Sequence, residues 1–90
     1  MKKIRELTVD ETFQLFLLIK NADVRIAKNG KKFIAITFQD TSGTIDGKFW
    51  DASEEEINRF EAGKVVLLDG KREVYQGNPQ VKILHLRLAK

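Results

Sequence analysis

A few side chains in one stretch bound the chemistry available to this chain. Lys31 to Asp51 reads KKFIAITFQDTSGTIDGKFWD. Phe33 and Gln39 share a parity in its first run, and Lys48 and Trp50 share one in the run that returns. Large aromatics set among charged and amide side chains are poorly placed for a core. They suit stacking of flat, unpaired bases, which contributes about 1–3 kcal/mol per base and tolerates any base because each has a π-face. Lys48 is placed to meet a phosphate or a base edge, and Gln39 to hydrogen-bond a Watson–Crick edge. Arg25, Lys28, Lys31 and Lys32 gather around the Ala27–Lys31 segment, where basic side chains neutralise phosphates with salt-dependent affinity and little sequence preference. Farther along, Tyr75 is placed to close over a bound strand and Arg72 to meet a phosphate. Each also has a structural reading. Trp50 suits covering a helix or a barrel end, Tyr75 packing on a barrel mouth, and Arg72 and the lysine-rich turn plain solvation; Phe16 is expected in the core.

Other chemistry is weakly supported. His85, the sole histidine, has no His, Cys or carboxylate at ligand spacing, so a polar-face role is expected. Asp51 and Glu54-Glu55-Glu56 form an acidic group, but their order is that of a helix cap. No nucleophile–base pair or ligand cluster is found, so no catalytic residue, metal or cofactor is expected in this domain.

Composition agrees with a single binding module. Ninety residues suffice for one small core and not for a catalytic domain beside it. The 16 Lys+Arg against 13 Asp+Glu give a net charge of +3, which permits an anionic partner. The chain has no cysteine, which fits a reducing, cytoplasmic setting. Its longest apolar run, Leu15–Ile19, is far below membrane-spanning length, so no membrane partner is expected.

The elements that must position these residues follow from periodicity. Residues 1–11 are a lead-in, an edge or a cap carrying Ile4 and Leu7. Phe13 to about Ile26 alternates as a long strand, apolar on both faces at first and amphipathic later, as suits a strand shared between two sheets. Asn29-Gly30 predicts a tight turn. The Lys31–Asp51 stretch predicts a hairpin turning through Asp40–Gly43, with Ile34, Ile36, Phe38 and Ile45 inward. Ser53-Glu-Glu-Glu56 predicts a capped helix to about Phe60, ended near Ala62-Gly63. Lys64–Val74 is the next strand, with a bend or bulge at Gly70. Tyr75–Pro79 is a turn. The last strand changes parity between Val81/Ile83 and Leu84/Leu86/Leu88, which predicts a bulge near Ile83. Three strands, a short helix and two strands is the order of the all-β, five-stranded Greek-key OB barrel, with its capping helix between strands 3 and 4. Such barrels bind oligonucleotides or oligosaccharides across strands 2 and 3 and the loops beside them.

The segments Leu18–Asp23, Phe38–Gly43, Ile45–Asp51, Lys71–Tyr75 and Pro79–Val81 resemble the N-terminal OB domain of the YhaM-type 3′-to-5′ exoribonucleases of Firmicutes, and the likeness extends over nearly the whole chain. It implies an OB domain of the tRNA-anticodon-binding type. In that family a C-terminal metal-dependent HD phosphohydrolase domain follows and cuts the phosphodiester. These residues contain no His-Asp pair, so the resemblance implies a non-catalytic module, with any divalent metal belonging to that other domain. The Trp50 position also resembles the third-strand aromatic on which replication protein A stacks a base.

The expected function is binding of single-stranded nucleic acid, RNA favoured, to position substrate for a separate 3′-to-5′ exoribonuclease domain. Two alternatives stand beside it: a single-stranded DNA-binding domain, and a protein-docking or oligomerisation domain anchored by Trp50 and Phe33.

Overall fold

A computed structural model describes residues 2–89. Its elements are a 3₁₀ turn (Ile4–Glu6), β1 (Thr12–Ile26), β2 (Lys32–Asp40), β3 (Gly43–Phe49), α1 (Glu54–Arg59), β4 (Val65–Tyr75) and β5 (Asn78–Leu88). The strands close as β1-β2-β3-β5-β4, all antiparallel except for a short parallel β3–β5 seam. This is the five-stranded barrel that the sequence order predicts, with its one α-helix among the described residues between β3 and β4.

β1 is shared as its two-part pattern requires. Thr12–Leu18 pairs with β4, and Leu18–Ile26 pairs with β2 across an irregularity at Lys20. That extra residue re-aims the strand, so Leu15, Leu17 and Ile19 point into the core before it and Ala22 packs against the core beyond it. Phe16 departs from expectation. It lies on the outward parity of β1 and is 53% exposed, because the inward positions on either side of it are Leu15 and Leu17.

Ile34, Ile36 and Phe38 of β2, Ile45 of β3, Val66 and Leu68 of β4, and Val81 and Leu86 of β5 fill the barrel. Phe60, at the end of α1, is buried with them and meets Phe49 edge-on at 5.4 Å. The helix thus stoppers one end of the barrel with an aromatic plug. Its start is the expected capping box: the Glu56 amide donates to Ser53 Oγ at 3.1 Å and the Ser53 amide to Glu56 Oε1 at 2.9 Å. The helix ends where expected, at Arg59 with Phe60 as its C-cap, but the expected cap at Ala62-Gly63 does not close it; Gly63, with φ of 94°, turns the chain later, on the way into β4.

The other anchor is Asp40, in the β2–β3 turn. Its carboxylate accepts from Ser42 Oγ (2.6 Å), the Ser42 amide (2.7 Å), the Gly43 amide (3.2 Å) and, across the fold, the Ile4 amide (2.8 Å). The turn therefore clasps the N-terminal segment, whose Ile4 and Leu7 join the core. Partial burial raises the Asp40 pKa, but the Ser42 hydroxyl and the three amides outweigh it and hold the group below its ordinary 3.8. Nearby, Lys2 Nζ donates to Glu11 at 2.6 Å, and with the Thr8 amide and hydroxyl it pulls Glu11 down to about 2.

The parity change in β5 is a bulge, as expected. Asp69 pairs with His85 but Gly70 with Ile83, so Leu84 is the extra residue. The expected Tyr75–Pro79 turn is shorter than anticipated. Only Gln76 and Gly77 turn, both with positive φ (51° and 81°), while Tyr75 and Asn78 are paired strand residues. The β4–β5 hairpin is therefore a ribbon that carries Tyr75 in register rather than on a loose loop.

Candidate nucleic-acid interface

The outer surface of β2 and β3 gathers the aromatic residues of the predicted site. The Phe33 and Trp50 rings lie 4.7 Å apart at 36°, a tilted cross-strand pair. Trp50 remains 58% exposed, and the residue that packs on the helix plug is its neighbour Phe49. Covering the helix end is thus not the role of Trp50.

Lys48 stands at the centre of this surface. Its ammonium lies 5.6 Å from the Trp50 ring, 6.0 Å from Phe33 and 5.9 Å from Tyr75. Tyr75 arrives from the far side, on the β4–β5 ribbon, and is itself 57% exposed. Three rings around one cation make a surface with negative π-faces and a positive centre. Between Trp50 and Tyr75 lies a cleft of about 440 Å³, floored by Lys48, Glu73, Gln80 and Lys82. It continues through Lys48 and Gln80 into a second hollow lined by Arg25, Thr37 and Asp46. A groove of this kind has stacking faces, cations and hydrogen-bonding side chains on one surface.

Arg25 is registered opposite Phe33 and so extends this surface onto β1; its guanidinium lies 3.8 Å from Asp23. Lys31 pairs with Asp51 at 3.6 Å, and Lys28 is exposed at the tip of the β1–β2 turn.

Three predicted residues are not brought to this surface. Lys32 has the parity of Ile34, not of Phe33, and turns toward α1, where it pairs with Glu54 at 2.9 Å. Gln39 has the parity of Phe33 but stands six residues along β2, which at strand rise separates them by about 20 Å. It lines a different cleft, with Phe16, Leu18 and Val65. Arg72 has the opposite parity from Tyr75; it borders a hollow with Ile4, Arg5, Ser42 and Pro79, and its backbone pairs with Asp10 and Glu11.

Sequence reasoning missed Gln80, Glu73 and Lys82. Gln80 and Lys82 reach the groove through the parallel pairings Asp46 with Gln80 and Lys48 with Lys82, and Glu73 through its pairing with Gln80. The alternating polar positions of β5 were the available signal, but nothing local reveals which strand they lie beside.

His85 is exposed, 4.0 Å from Asp69. Among the described residues no group of three or more His, Cys, Asp or Glu side chains is arranged to hold a metal ion, and no helix is long and apolar enough to cross a membrane.

The barrel is similar to the solved solution structure of the second OB-fold domain of replication protein A from Methanococcus maripaludis, with a TM-score of 0.72 at 17% sequence identity over 99% of this chain and 94% of that one. At that identity the likeness speaks for the fold. Residues 18–89 match the tRNA anti-codon family model, described as an OB-fold nucleic acid binding domain. With the match running from mid-β1 through β5 and the barrel closed as that fold requires, the chain belongs to this family of OB-fold nucleic-acid-binding domains.

Proposed function

We propose that this domain binds single-stranded RNA and presents it to a separate 3′-to-5′ exoribonuclease domain, without itself cutting the strand. The observation that carries the binding half is the arrangement of Phe33, Trp50 and Tyr75 around Lys48 beside an open cleft. Exposed rings at this spacing offer stacking faces that only unpaired bases can reach, so single strands are favoured over duplex. The RNA preference and the nuclease partner rest on the likeness of Leu18–Asp23, Ile45–Asp51 and Lys71–Tyr75 to the YhaM-type enzymes. In such an arrangement the domain raises the local concentration of substrate at a tethered active site.

Trp50 is the chain's only tryptophan and serves as its own probe. Titration with a short single-stranded RNA, the matching DNA and the duplex, at low and moderate salt, is expected to show quenching by single strands, RNA ahead of DNA, that weakens with salt. Equal quenching by DNA removes the RNA preference. A flat signal at high micromolar RNA in low salt, with filter binding also negative, rules out this surface as a nucleic-acid platform.

A further inference from the structure

The groove has a second component that the aromatic cluster does not explain. Lys48 of β3 is registered beside Lys82 of β5, and Lys82 beside Lys71 of β4. Partners in register point to the same side of a sheet, so three lysine side chains leave one face of neighbouring strands that are spaced about 4.8 Å apart. Like charges directly opposite one another destabilise a sheet. Among the described residues, Lys71 lies 4.0 Å from Asp10, and neither Lys48 nor Lys82 forms an ion pair. Lysines often guard exposed strand edges, but these strands are paired on both sides in a closed barrel and offer no edge there. Folding thus gives no reason for the row.

The next row along the same strands has the opposite character: Asp46, Gln80 and Glu73, also in register. Asp46 accepts from Thr37 Oγ1 at 2.9 Å. An anionic chain crossing this surface is repelled by that row and attracted by the lysine row. We infer that Lys48, Lys82 and Lys71 form a phosphodiester track that leads a bound strand off the Phe33–Trp50 platform and across β5 onto β4. The inference rests on the proposed single-strand binding and adds the path of the backbone. It gives Lys48 two contacts, one to the rings and one to the first phosphate.

The test uses Lys82→Gln and Lys71→Gln, with Arg87→Gln as a control that removes an exposed cation from β5 at its pairing with Leu67. Two ligands are titrated over a salt series, a short single-stranded oligonucleotide and an abasic strand of the same length. For both, the slope of log affinity against log salt is expected to fall by about 0.7 for each track lysine removed and to stay unchanged in the control. Abasic binding is expected to be insensitive to Trp50→Ala. The unliganded Lys82→Gln variant is expected to melt no lower than wild type, since the row loses a repulsion and Lys82 gives up no ion pair among the described residues. If Lys82→Gln and Lys71→Gln behave like Arg87→Gln with both ligands, the track is wrong although the platform stands. If wild type holds the base-bearing and abasic strands equally, both through Lys82 and both insensitive to Trp50→Ala, the stacking platform fails and the phosphate track survives. Binding of neither overturns both.

Discussion

The two ends of the β2–β3 hairpin treat their polar groups in opposite ways. At the turn, Asp40 is saturated by four donors from Ser42, Gly43 and Ile4. At the open end, Lys48 meets three aromatic faces and, among the described residues, no carboxylate, and Trp50 leaves more than half its surface to solvent. The first end has its chemistry completed within the chain, which makes it a stability device. The second leaves cation and π-faces uncompleted, as a binding surface must until its ligand arrives. One hairpin can do both because its strand residues alternate: the inward series Ile34, Ile36 and Phe38 ties the ends into one core whatever the outer face carries.

The contrast breaks most sharply at Asp40. Asp40→Ala leaves several amides and a hydroxyl without their acceptor and frees the N-terminal segment, at an expected cost of about 3 kcal/mol in urea unfolding. Single-strand affinity measured on the folded fraction should be unaltered. Trp50→Ala is the mirror image: about 2 kcal/mol lost from single-strand binding, with unfolding stability within about 0.5 kcal/mol of wild type. A large stability loss at Trp50, or a binding loss at Asp40, would erase the division between the ends. Ser42→Ala removes one donor to Asp40 and the acceptor for the Arg5 amide, and about 1 kcal/mol of stability should follow in the same assay.

Acid titration gives the finest distinction. Because the folded pKa of Asp40 is depressed, its contribution is fully present above 3.8 and is lost as pH falls through the lower folded value. Glu11 acts with the same sign between 4.5 and about 2. Urea unfolding of Asp40→Asn across that acid range should therefore show a shallower loss of stability than wild type, with the Glu11 share remaining. Variants at Trp50 should keep the wild-type slope.

Much of this was legible in the sequence because its signals are local. Alternation located β2 and β3, Ser53 with Glu56 announced the helix start, and the parity change near Ile83 announced the bulge at Leu84. Phe33, Trp50 and Lys48 could be grouped for the same reason, since a short hairpin fixes which residues lie opposite. Grouping by nearness in sequence failed where geometry overrides it. Lys32 adjoins Phe33 yet points the other way, Arg72 lies three residues from Tyr75 on the other parity, and Gln39 shares a face with Phe33 but not a neighbourhood. Lys82 and Gln80 were invisible because their place beside β3 arises from barrel closure, which no local pattern encodes.

That closure depends on Val81. Gly47 and Gly70 flank it, and a Cβ on either would meet a Val81 methyl at 2.7 or 2.5 Å. The parallel seam it completes has only three registered pairs, Asp46–Gln80, Gly47–Val81 and Lys48–Lys82. Joining segments so distant in the chain is intrinsically slow, so the seam is expected to be the last part of the barrel to zip and the first to unzip. A strand crossing from Lys48 to Lys82 would lie over it like a suture. Ligand binding should then slow amide exchange most at Gly47 and Lys82, making the nucleic acid a mechanical closure for the barrel that holds it.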